Sequence, residues 1–307
     1  MDPVLFLEQT LNGLQLGVML FLMAAGLTLV FGIMNLVNLA HGSLYMVGAY
    51  LATFFYQQTG SFALGVLLGL SGTLAVGIVV ELVALRTLYE RDHLDQVLAT
   101  FGLILFFNEL IAILWGRSAI FATMPPELSG HVELIAGLRY PLYRLAILAV
   151  GLVVAGLLWY VVASTRLGML IRAGASNRSM VAAVGVNIRL LYPVVFGCGA
   201  ALAGLAGLMA GPIHVVQPGM GEQVLIEVFV VIVIGGIGSI RGALAGALIV
   251  GMVDTMGRAF LKPMLATVIS PVAADTAGPA LASMLIYLLM AAVLALRPEG
   301  LFPSRGS

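Results

Sequence analysis

Asn35, Asn38, His41 and Ser43 stand inside FGIMNLVNLAHGSLYMVGAY, Phe31–Tyr50, a stretch that is otherwise almost entirely apolar. Two amides, an imidazole and a hydroxyl supply both donors and acceptors without a fixed charge. Such a set can coordinate a zwitterion or a neutral polar solute. The same groups can equally serve as interhelical hydrogen bonds that lock a fold, and the residues alone leave both readings open. A second stretch, GGIGSIRGALAGALIVG, Gly235–Gly251, holds Gly235, Gly236, Gly238 and Ser239 ahead of Arg241. Its glycines permit backbone turns and close approach. Glu109, which follows Asn108 within an apolar run, is a third candidate. Glu81 and Glu227 sit nearer the ends of their runs and are read as reaching an interface.

Catalytic chemistry finds little support. No nucleophile–base pair and no cluster of carboxylates stands out, and His41, His93, His131 and His214 show no metal-ligand spacing. The single cysteine, Cys198, excludes an intrachain disulfide and a thiolate cluster; among glycines and alanines it reads as a small packing residue. The one lysine, Lys262, precedes Pro263, so the chain has no Gly-Lys-Ser/Thr phosphate loop. If ATP drives this protein, another chain hydrolyses it.

The elements that must position these residues lie in a membrane. The chain is 61% hydrophobic and 9% charged, against about 25% charged in soluble domains. From Gln9 to Val80 there is no Asp, Glu, Lys or Arg. Net charge is zero, which disfavours nucleic acid as a partner. Apolar runs near Leu11–Met34, Leu44–Tyr56, Phe62–Leu85, Val97–Trp115, Leu145–Ala163, Leu191–Ile213, Val224–Ile240, Gly242–Gly257 and Leu281–Leu296 predict an all-α polytopic protein. About eight to ten membrane or half-membrane helices are expected, some of them broken. Residues 1–307 form a single membrane-spanning domain.

The two polar interruptions fall one in each half of the chain. Paired interruptions point to a binding site and an internal repeat, although the Gly-Ser and Gly-Ala pairs do not align at equal spacing. Both regions should therefore face one cavity near the bilayer centre, otherwise apolar. Small-residue ridges, Gly199-Ala203-Gly207-Gly211 and Gly238-Gly242-Gly246, read as sites of close helix packing.

Residues 164–190 carry Arg166, Arg172, Arg178 and Arg189 and no acid, which predicts a cytoplasmic loop. Ser176 or Asn177 can cap a short helix over Met180–Val184, and Gly185 can end it in a left-handed turn. A capped helix there is a surface on which a partner can push; the plain alternative is a basic loop that only sets topology. Counting spans puts 116–143 outside, where Pro125, Pro126, Glu127 and Glu133 either receive an external protein or merely connect.

Four ordered motifs now converge: NLVNLAHGSLYMVGAY, the G-x-x-x-R-A loop followed by V-G-V-N, GGIGSIRGALAGA, and the closing RPEGLFP. Together they resemble the LivH-type permeases, membrane subunits of branched-chain amino-acid ATP-binding-cassette importers, over nearly the whole chain. The resemblance implies a multi-pass bacterial inner-membrane protein, not itself an enzyme and with no cofactor of its own. It implies a second, LivM-type permease, two cytoplasmic ATPase subunits of LivG and LivF type that hold ATP and Mg2+, and an external substrate-binding protein. It makes residues 164–190 the coupling segment, with Gly168, Arg172, Ala173, Asn177, Arg178, Gly185 and Asn187 facing an ATPase groove. The cargo pathway would comprise Asn35, Asn38, His41, Gly42, Ser43, Gly235, Gly236, Gly238, Ser239 and Glu109. Urea, short-amide and aromatic-acid importers share these motifs, so they stand as alternatives. An ion-coupled secondary transporter is the alternative from another class, with Glu109 as its acid.

Overall fold

The computed structural model describes residues 3–34, 36–135, 137–176, 180, 181 and 185–302. Helix α1, Pro3–Met34, has 32 residues and is about 48 Å long, more than the roughly 30 Å hydrocarbon core of a bilayer. It is the hub of the bundle and is buried along most of its length. Helices α2 (His41–Thr59) and α3 (Phe62–Val83) form a hairpin. Its turn is made by Gly60 at φ +65°, whose N–H donates to the Tyr56 carbonyl. Helix α4 (His93–Trp115) follows, then a short antiparallel hairpin of β1 (His131–Ile135) and β2 (Leu138–Pro141). After it come α5 (Leu142–Ser164), α6 (Arg166–Ser176), α7 (Ile188–Ala210), α8 (Met220–Gly235), α9 (Ile240–Leu265) and α10 (Pro271–Leu296). Seven of these helices are long and apolar enough to span a membrane. Helices α2 and α8 begin inside the bundle and complete two further crossings together with the irregular chain before them.

Glycine explains how the helices pack. Apolar side chains gain no hydrophobic free energy by leaving lipid for one another, so close backbone contact carries the association. A Cβ on Gly26 of α1 would lie 2.6 Å from the Gly199 oxygen of α7. Gly42 of α2 and Gly221 of α8 are likewise pressed backbone to backbone. Gly13 and Gly17 of α1 meet α9 at Gly251 and Ala247, while Gly77 of α3 meets α7 at Ala200. Thus the first helix of each half packs on the third helix of the other. This is the contact pattern of an inverted repeat, α1–α4 against α7–α10, which the unequal motif spacing hides in the sequence.

The two faces of the bundle differ in charge. At one end α1 meets α9 through Phe6 and Phe260, and Asn12 accepts hydrogen bonds from Tyr140 and Arg144. That end carries Arg117, Arg139, Arg144, Arg258 and Lys262 with Glu8, Glu109, Glu127, Glu133, Glu222, Asp254 and Asp275. At the other end Arg86 donates to the Arg189 carbonyl at 3.0 Å, and the tail binds back through Leu301 and Phe302 to the carbonyls of Ile234 and Gly235. Arg86, Arg91, Arg166, Arg172, Arg189, Arg241 and Arg297 gather there with fewer acids, so this end faces the cytoplasm.

Two helix ends depart from the apolar runs. Helix α9 continues past Gly257 to Leu265, and α10 begins at Pro271 rather than Leu281. The charges that end the apolar runs are paired across and along the helices: Arg258 with Asp254 and Lys262 with Asp275, both at 2.8 Å. Cys198 also departs from expectation, since it is exposed on the outer surface of α7 rather than packed inside.

Candidate functional site

The break between α1 and α2 returns the chain into the bundle. Asn35 lies outside the described residues. Asn38 and His41 have no exposed surface and Ser43 has 4%. The His41 Nε2 lies 3.2 Å from the Met23 carbonyl of α1. A carbonyl only accepts, so Nε2 must carry the hydrogen and Nδ1 is left as an acceptor. That Nδ1, and both polar atoms of the Asn38 amide, make no hydrogen bond among the described residues. Such groups cost about 1–3 kcal/mol each when left unpaired. They stand beside the Gly42–Gly221 contact, where α2 and α8 start in opposite directions.

The second glycine segment lies deeper. Gly235 and Gly242 touch backbone to backbone. Gly236, at φ +107°, would place a Cβ 2.7 Å from the Phe302 oxygen. Gly238, at φ +82°, lies against Gly32, and Ser239 caps α9 by accepting from Gly242 N–H at 3.1 Å. Along α1, Gly32 is six residues beyond Gly26, which touches His41; that is about 9 Å toward the cytoplasm. The two interruptions therefore sit at different depths, the second as a tight inner turn clamped by the tail. Glu109 points elsewhere: it is exposed and paired with Arg117 at 2.8 Å. Its neighbour Asn108 instead holds the start of α8, accepting from Gly219 N–H and donating to Glu222.

Above the central break, toward the outer face, is a cavity of roughly 540 Å3. Its apolar wall is Leu16, Met19 and Leu20 of α1 with Met220 and Val224 of α8. Its polar wall is Tyr45 of α2, Gln223 and Glu227 of α8, Asp254 and Arg258 of α9, and His214 and Gln217 of the loop before α8. Two carboxyl groups, Glu227 and Asp254, and the Arg258 guanidinium line it, unlike the apolar lining expected from sequence. Glu227 lies inside this cavity rather than reaching for an interface. Asp254 and Arg258 are absent from the sequence-derived candidates; their i, i+4 spacing at the end of an apolar run was the signal.

The cytoplasmic end is equally organised. Glu81 also does not reach for an interface: it is fully buried and accepts from the Tyr89 hydroxyl at 2.6 Å, with Arg86 4.0 Å away. Burial, then the hydrogen bond to Glu81, pushes the Tyr89 phenol far above its ordinary range, which keeps it a donor. Tyr89 packs edge-on against Tyr192 of α7, whose hydroxyl reaches the Ile33 carbonyl of α1.

In the basic loop, a Cβ on Gly168 would strike the carbonyls of Val161 and Val162, so only glycine lets α6 fold back on α5. Arg172 is exposed and Ala173 partly buried, and Gly174 rests on Ile33 at the end of α1. Ser176 is the last residue of α6. Asn177 and Arg178 lie outside the described residues. Met180 and Val181 are helical. Gly185 has φ +87°, and the Val186 N–H donates to the Val181 carbonyl, a left-handed helix end of the expected kind. Asn187 is exposed, and its carbonyl starts α7 by accepting from Leu191 N–H.

A family model described as the permease component of branched-chain amino-acid transport systems matches residues 9–294. The chain is 28% identical to a high-affinity branched-chain amino-acid transport permease, BraD, of Pseudomonas aeruginosa, over 96% of this chain and 95% of that one. It is 29% identical to the LivH permease of Escherichia coli K12, over 86% and 90% of the two chains. A probable LivH permease of the archaeon Methanocaldococcus jannaschii is 28% identical over 81% and 80%. No solved structure matches the chain significantly.

Proposed function

The chain belongs to the branched-chain amino-acid transport permease family, and from that premise we propose that it is the membrane subunit of an ATP-driven importer of branched-chain or other hydrophobic amino acids. An external binding protein delivers the cargo, a second related permease completes the pathway, and two cytoplasmic ATPase subunits supply the work. The relatives' names support the cargo class.

One observation carries the mechanism: α1 touches every working part. Its outer half walls the cavity through Leu16, Met19 and Leu20. Its middle holds His41 through the Met23 carbonyl. Its inner end meets α6 at Gly174 and α7 at Tyr192. An ATPase engaging Arg172 and the exposed Leu167 and Met169 of α6 would therefore move the helix that lines the path. Cargo passes from the outer cavity along Asn38, His41, Gly42 and Ser43 to the turn at Gly235–Ser239. Gly168, Gly185 and Asn187 shape the coupling segment, and Asn177 and Arg178 belong to its contact face.

The test is uptake of labelled leucine by the complete complex in proteoliposomes. Uptake should require ATP on the ATPase side and the binding protein on the other, and should survive ionophores that collapse ion gradients. Uptake that stops with the gradients and ignores ATP would establish a secondary transporter instead.

A further inference from the structure

We propose that the outer cavity is an ammonium-recognising vestibule, in which Glu227 and Tyr45 accept the α-ammonium group of an apolar amino acid while Arg258 takes its carboxylate. The inference rests on the reading of this chain as a solute permease. It adds a chemical choice: amines enter, whereas urea, amides and simple carboxylic acids do not.

The charges of the cavity are not equivalent. Asp254 is bound by its own neighbour, with Arg258 Nε 3.0 and 2.8 Å from its two oxygens. That pair neutralises itself on one helix. Glu227 faces it from α8, close enough to feel both charges, yet makes no hydrogen bond or ion pair among the described residues. Tyr45 is 3% exposed, and its hydroxyl likewise makes no hydrogen bond among them. A partly buried carboxylate with an unpartnered hydroxyl beside it asks for donors, because burying an unpaired charge is costly. An ammonium group has three donors and no acceptor, which suits Glu227 and Tyr45 together. Arg258 uses only Nε on Asp254, so its terminal nitrogens are left to fork onto a carboxylate. Met19 and Val224 give the side chain an apolar wall. The volume is within the range of roughly 300–1,000 Å3 usual for small-molecule pockets. Beside the self-neutralised Asp254–Arg258 pair, an ionised Glu227 would leave one net negative charge, which a zwitterion meets with its ammonium end first.

The experiment is ligand protection of a cysteine in the cavity. Val224→Cys, in a Cys198→Ala background, is reacted with a small thiol reagent in the intact complex in nanodiscs. Leucine, 3-methylbutylamine, 4-methylpentanoate and 3-methylbutyramide are compared as protectants. Leucine and the amine should slow modification; the acid and the amide should not. Glu227→Gln should raise the concentration of leucine and of amine needed by about tenfold or more, the usual loss for a hydrogen bond to a charged group. Tyr45→Phe should raise it by about fivefold and carries the test alone if Glu227→Gln fails to assemble. Equal protection by acid and amine, no protection by any, or protection unaffected by the variants overturns the proposal. ATP-dependent leucine uptake is measured on the same preparations. Uptake without protection sinks the vestibule and leaves the importer reading intact; protection with uptake that ignores ATP sinks the importer reading alone.

Discussion

Gly26→Ala is the sharpest test of the central packing. The new methyl would lie 2.6 Å from the Gly199 carbonyl oxygen and 3.0 Å from His41 Nε2. The first obstacle is backbone and cannot rotate away, so α1 and α7 must separate by several tenths of an ångström. The same push strains the His41–Met23 hydrogen bond. Overpacking of this kind costs about 1–3 kcal/mol, while replacing glycine by alanine within a helix returns about 1 kcal/mol. The net effect on stability is then about 0–2 kcal/mol of loss. Gly102 is the control, since a Cβ there meets nothing within 4 Å; Gly102→Ala should gain about 1 kcal/mol. Gly199→Ala, whose methyl would stand 3.0 Å from the Gly26 oxygen, should fall between the two. Unfolding by SDS titration in mixed micelles, followed by Trp115 and Trp159 fluorescence, reads the order directly. A Gly26→Ala protein as stable as Gly102→Ala would refute backbone-to-backbone packing of α1 on α7, and with it the inverted repeat.

Other outcomes follow from the same geometry. A cysteine at Ser176, with Cys198→Ala, should react with a membrane-impermeant thiol reagent only from the cytoplasmic side; labelling in intact cells would invert the topology. Arg172→Glu should abolish uptake and stimulated ATP hydrolysis without weakening cargo binding by the external protein, and normal uptake would remove Arg172 from coupling. Tyr89→Phe leaves the buried Glu81 carboxylate without its 2.6 Å donor, which should cost about 1–3 kcal/mol of stability in the same titration; an unchanged midpoint would show that the Tyr89–Glu81 bond contributes nothing to the fold.

The sequence by itself determined what depends on near neighbours along the chain. Runs without charge set where the membrane crossings lie, because a span must be apolar over its own length. Arginine without acid set the side of residues 164–190. Glycine and asparagine in Phe31–Tyr50 marked a break, because an amide in lipid needs a partner. What only the tertiary structure decided depends on partners far apart in sequence. Glu81 and Glu227 look alike at the ends of apolar runs, yet one is buried against Tyr89 and the other lines a cavity. The reach of α9 depends on Asp275, which lies in the next helix and pairs with Lys262. Gly236 is followed within a few residues by α9, yet the group that a Cβ there would strike is the Phe302 carbonyl of the distant tail. The ionisable wall of the outer cavity unites α8 and α9, and Tyr45 faces it from the other half of the chain. Hydropathy is a sum over adjacent residues and sees none of these pairings; close packing of glycine-bearing backbones is what brings them within bonding distance.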